Sequence, residues 1–152
     1  MDLTVAEASF DLIVDVAGYF VGGVASAGGA FVSTAPSRIL DTRTGTGASA
    51  GMVAPQGEVM LQVTGRAGVP AVNVSAVVMN VTVTNPQRDG YVMVYPTKES
   101  LPNASNLNFL AGQTVPNLVT VKIGDQGQVS LLNASAGSAH LIADVAGYYL
   151  AG

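Results

Sequence analysis

The sequence predicts an all-β protein: an antiparallel β-sandwich, jelly-roll-like or Ig-like, of about eight or nine strands. Apolar and polar residues alternate with a period of two, most clearly over Val74–Thr84, where Val77, Met79, Val81 and Val83 share one face and Asn80, Thr82 and Thr84 the other. The 18 glycines and 7 prolines interrupt the chain too often for helices, and no segment of helical length has a 3.6-residue period. Residues 34–57 read as a long irregular stretch suited to a strand-switching connection, which favours a sandwich over a closed barrel.

Residues 2–20 hold two apolar runs rich in β-branched residues and closed by Ala17-Gly18, expected to be one hairpin or its second half. Residues 21–30 contain Gly, Ala, Ser and Val with no charge, the composition of a flexible connector. Residues 58–64 alternate Val59, Leu61 and Val63 against Glu58, Gln62 and Thr64, as a half-buried strand does. Asn85-Pro86-Gln87-Arg88-Asp89-Gly90 is expected to turn Val74–Thr84 back into a strand over residues 91–95, giving a hairpin. Residues 104–109 follow as a short strand. Residues 118–123 and 128–132, joined through Gly124-Asp125-Gln126-Gly127, predict a second, compact hairpin, and residues 139–145 the terminal strand.

That last strand has a copy at the other end of the chain. Leu12-Ile13 and Asp15-Val16-Ala17-Gly18-Tyr19 match Leu141-Ile142 and Asp144-Val145-Ala146-Gly147-Tyr148 at one constant offset. The chain therefore reads as a tandem repeat: residues 1–23 as terminal strand(s) of a preceding unit, 24–30 as a linker, and 31–152 as one complete sandwich module. Met1-Asp2-Leu3-Thr4 opens without the charged and apolar regions of a secretory signal, so the expectation is a piece of a longer chain.

At 152 residues one core is expected. Only 11% of residues are charged, against about 25% in average soluble domains, so Ser, Thr, Asn, Gln and Gly must form much of the surface. The net charge of −4 and pI of 4.6 supply no basic footprint for nucleic acid and no attraction to anionic lipid. No apolar run approaches the roughly 20 residues of a membrane helix. Without cysteine, disulfides and thiolate metal sites are excluded.

The most charged stretch, Arg38-Ile39-Leu40-Asp41-Thr42-Arg43, sets two guanidinium forks around one carboxylate. Arg38, Asp41 and Arg43 can bind a sugar hydroxyl cluster or a carboxylate, but an internal ion pair pinning a long loop is the favoured reading. Asn106, Asn108 and Asn117, with Ser105 and Gln113, form an amide cluster of the kind that reads hydroxyl-rich ligands; tying loop backbones is again the favoured role. Tyr91, Tyr95, Tyr148, Tyr149 and Phe109 offer sugar-stacking faces, with packing favoured. His140, the sole histidine, is expected to be an exposed strand residue, since the sister repeat carries Asp11 there. Asp15 and Asp144 are too isolated for calcium and are expected to make turn-forming hydrogen bonds at a strand end. The glycosylation patterns at Asn73, Asn80, Asn103 and Asn133 are read as coincidence. No cofactor, metal site or catalytic residue is expected, because one histidine and scattered carboxylates leave no acid and base pair.

Pro36-Ser37-Arg38-Ile39-Leu40-Asp41-Thr42-Arg43, Ala76-Val77-Val78-Met79-Asn80-Val81-Thr82, Pro102-Asn103-Ala104-Ser105-Asn106-Leu107-Asn108-Phe109 and Leu141-Ile142-Ala143-Asp144-Val145-Ala146-Gly147-Tyr148 carry a resemblance in their order and spacing. Over almost all of residues 31–150 the chain resembles a tandem β-rich repeat module of secreted and cell-surface proteins of actinobacteria and related bacteria. The resemblance implies an extracellular accessory module beside catalytic domains such as cell-wall amidases and peptidases, with no catalytic residues and no agreed ligand. The expected role is structural or adhesive, with self-association through a duplicated edge strand carrying Phe10, Leu12, Ile13, Val14, Val16, Tyr19 and Phe20. The alternative is carbohydrate binding to cell wall or another polysaccharide.

Overall fold

The computed structural model describes residues 22–152. These residues form eight strands: β1 (Phe31–Asp41), β2 (Glu58–Gln62), β3 (Val74–Thr84), β4 (Gly90–Pro96), β5 (Leu107–Phe109), β6 (Val115–Lys122), β7 (Gln128–Ser135) and β8 (His140–Leu150). They form two four-stranded sheets, β1-β8-β3-β6 and β2-β7-β4-β5, antiparallel throughout. The first strand pairs with the last, β2 with β7, β3 with β6 and β4 with β5. The chain is thus one long antiparallel hairpin, its tip between β4 and β5, rolled into two facing sheets. Of the two arrangements expected, this is the jelly roll.

Rolling corrects both predicted hairpins. β3 and β4 lie in opposite sheets, as do β6 and β7. Their connections cross the end of the sandwich, the first with Asn85 at a φ of 52° and the second with Gln126 at 54° and Gly127 at 79°. Alternation tells a strand which side faces the core, and both sheets share that core, so a short turn is compatible with either partner sheet.

The core lies where the alternation puts it. Val77, Met79, Val81 and Val83 of β3 and Leu141, Ala143 and Val145 of β8 are completely buried, against Leu61, Val92, Val129 and Leu131 of the other sheet. Each of the valine, leucine and methionine side chains among them stabilises the fold by about 1.5–3 kcal/mol.

The stretch expected to begin an irregular loop is instead β1, the outermost described strand of its sheet, paired with β8. Its register shifts between Ser33 and Ser37, where Thr34-Ala35-Pro36 leave the ladder, and again between Arg38 and Leu40. Proline cannot donate to a ladder, and the second irregularity lets Ile39 and Leu40 both turn inward. Residues 42–57 then cross to the second sheet, as a strand-switching connection does. β8 also runs on to Leu150, past its predicted end. Gly147 lets it pass Phe31: a Cβ there would stand 2.5 Å from the ring.

The chain enters and leaves at one end of the sandwich. Gly29 N–H donates to the Leu150 carbonyl, and Leu150 N–H donates to that of Ala30. The last residues of the connector are therefore fastened to β8. Phe10, Leu12, Ile13, Val14, Val16, Tyr19 and Phe20 lie outside the described residues. The counterparts of Leu12 to Phe20 belong to a central strand, not an edge strand, because β8 is bonded to β1 on one side and β3 on the other.

Candidate functional site

Arg38 stands directly opposite Asp144 in the β1–β8 ladder. Its guanidinium donates from Nε to Asp144 Oδ1 at 2.8 Å and from Nη2 to Oδ2 at 3.1 Å, while Nη1 reaches Asp41 Oδ2 at 3.2 Å. Asp144 thus lies within β8, gripped by a cross-strand arginine, and makes no strand-end turn. Arg43 closes on Asp41 from the other side, donating from Nε to Oδ1 at 2.9 Å, from Nη2 to Oδ2 at 2.8 Å, and from its backbone N–H to Oδ1 at 3.0 Å.

Asp41 is 2% exposed, whereas both arginine side chains are 46% exposed. A buried carboxylate therefore meets charges that enter from the surface. The Arg43 hydrogen bonds hold its carboxyl well below the usual carboxylate range, against the opposing push of burial. The cluster is internally balanced, with each carboxylate oxygen accepting from a guanidinium. Beside it, buried Thr42 accepts the Leu141 N–H, and its hydroxyl lies 3.0 Å from His140 Nδ1. His140 is half-buried and partnered, not an exposed strand residue.

The amides separate into spent and unspent. Asn106 Oδ1 accepts the Val94 N–H at 2.6 Å, Asn117 donates to the Asn106 carbonyl, and Gln113 Oε1 accepts the Leu110 N–H at 2.8 Å. These three tie backbone around β5. Asn108 does not join them: it faces outward across from Tyr91, and both line a shallow depression with Ser105, Asn103, Pro102 and Met93. Tyr95, Tyr148 and Phe109 are buried, and the Tyr149 ring stands 5.3 Å from that of Phe31. Burial first, and then the Glu58 carboxylate, push the Tyr95 phenol up.

Asn133, which also opens one of the glycosylation patterns, is a structural centre. Completely buried, it donates Nδ2 to the carbonyls of Val53, Ala54 and Gly137, and Ser135 donates to its Oδ1. Sequence alternation would have pointed it out only with the strand's sheet partner known.

A cleft of about 480 Å³ lies between the 42–57 connection and β2. Gly, Ala and Val form most of its walls, with Thr42, Ser49, Met52, Glu58 and Met60 as the chemically distinctive lining. Among the described residues no group of three or more His, Cys, Asp or Glu is placed to hold a metal ion, and no helix is long and apolar enough to cross a membrane. Compared with known proteins, the chain matches no family model and no curated protein sequence.

Proposed function

We propose that the chain is a non-catalytic structural or adhesive repeat module, of the type found in secreted and cell-surface proteins of actinobacteria, that spaces neighbouring domains and associates with copies of itself. The observation that carries this is the recurrence of β8. Residues 11–21 reproduce its inward-facing Leu141 and Val145, its Gly147, and the Asp144 that Arg38 grips, as Leu12, Val16, Gly18 and Asp15. A strand with that pattern is suited to the slot between a β1 and a β3, so tandem modules carry interchangeable strands and can exchange them. The single end at which the chain enters and leaves also suits serial linkage. An acid–base role for the arginine cluster is disfavoured, since both its carboxylates are saturated by guanidinium donors.

Sedimentation velocity over a concentration series tests the proposal. The full chain is expected to form dimers or larger species, and Ile13→Asp with Val16→Asp to remain monomeric. Unchanged mass in that variant would count against strand-mediated association.

A second reading, a carbohydrate-binding accessory module, is favoured by one observation: an exposed tyrosine beside unspent amides on the outer face of the second sheet. Retention on purified cell wall or polysaccharide, in a variant that stays monomeric, would support it.

A further inference from the structure

We propose that the depression between β4, β5 and the connection joining them is a subsite for one neutral sugar unit; the proposal rests on the carbohydrate-binding reading. Tyr91 is 41% exposed, the most open of the described tyrosines. Its cross-strand neighbours are Asn108 on β5 and Ala134 on β7. Ala134 is too short to cover a phenol ring, and Asn108 sets an amide at the ring's side.

Met93, Pro102 and Ala104 complete the apolar part of the lining, and Asn103 and Ser105 join Asn108 as its polar part. None of the side chains of Tyr91, Asn103, Ser105 and Asn108 is hydrogen-bonded to another described residue, unlike those of Asn106, Gln113 and Asn117 a few residues away. The fold thus spends one set of amides on its own backbone and leaves another facing solvent around an aromatic ring.

A pyranose has an apolar C–H face and a rim of hydroxyls that donate and accept. An aromatic ring answers the first, and amides, which also do both, answer the second. Among the described residues no charged side chain lines the depression, so they offer nothing to neutralise a uronate, a lactyl carboxylate or a phosphate. Its volume of about 260 Å³ falls below the roughly 300–1,000 Å³ of sites for drug-sized ligands, which limits it to about one ring. Such a subsite is weak alone and gains strength when modules in series hold one polysaccharide.

The test is amide chemical-shift titration of the full chain with chitohexaose, laminarihexaose and maltohexaose as neutral probes and polygalacturonate as an acidic one. At least one neutral probe is expected to shift the Tyr91 and Asn108 amides. Tyr91→Ala should weaken it about tenfold while Tyr91→Phe keeps it. Asn108→Ala, a milder change at the surface, should weaken it too, so the site remains testable if Tyr91→Ala unfolds. A neutral probe bound equally well by folded Tyr91→Ala and Asn108→Ala would overturn this site while leaving the carbohydrate reading intact. Binding of polygalacturonate alone would overturn the neutral assignment, and no binding of any probe would remove both the subsite and the reading.

Discussion

Arg38 and Asp144, 106 residues apart in sequence, meet as a two-pronged ion pair across the β1–β8 ladder, with N–H···O distances of 2.8 and 3.1 Å. The pair joins the first strand of the jelly roll to its last. Asp144 recurs as Asp15 in the preceding copy of β8, so the aspartate belongs to the repeated strand and the arginine to the strand that receives it.

Arg38→Lys keeps the charge and loses the fork. Because the two side chains are 46% and 26% exposed, the expected loss is modest, about 0.2–1 kcal/mol. A double-mutant cycle with Asp144→Asn, read by urea denaturation, should give a coupling energy in that range. A coupling of zero would show that the pair adds nothing to β1–β8 docking.

Asp41 should make the fold acid-sensitive. Its folded-state pKa is depressed below the value of about 3.9 for an unfolded aspartate, so the unfolded chain takes up its proton first as pH falls. The contribution is therefore fully present above about pH 5 and is lost progressively as pH drops through the unfolded value towards the depressed one. Asp41→Asn is expected to cost about 1–3 kcal/mol near neutrality and to flatten the acid limb of a stability–pH profile. An equally steep limb in the variant would assign the acid sensitivity elsewhere.

Asn133→Ala strips one donor group from three carbonyls in the interior. A cost of about 2–4 kcal/mol is expected in chemical denaturation. Asn108→Ala, whose amide faces solvent, should stay within about 0.5 kcal/mol. Similar costs for the two would contradict the division into spent and unspent amides.

Much of this architecture was legible in order along the chain. β3 has the bounds its alternation predicted, and β2, β4 and β7 begin within a residue of where their apolar pattern starts. β1 was hidden because two irregularities in its ladder break the period of two that betrays a strand. Arg38, Asp41 and Arg43 were recognisable as a cluster from spacing alone, but Asp144, its fourth member, was misread as a turn former. Only strand pairing brings it to Arg38. Asn106, Asn108 and Asn117 looked like one group, and the fold divides them: Asn106 stands just before β5 and is bonded to Val94 of β4, Asn117 reaches it from β6 of the other sheet, and Asn108 alone faces outward from β5.

By itself the sequence determined the all-β class, the inward faces of the strands and the repetition of β8, since period, turn chemistry and identity of residues are local properties. The tertiary structure decided that the turns after β3 and β6 cross between sheets, that β8 is central, and which amides remain free. Those outcomes depend on the partner each strand finds after the chain rolls up, and a core shared by two sheets rewards an inward-facing valine equally in either one.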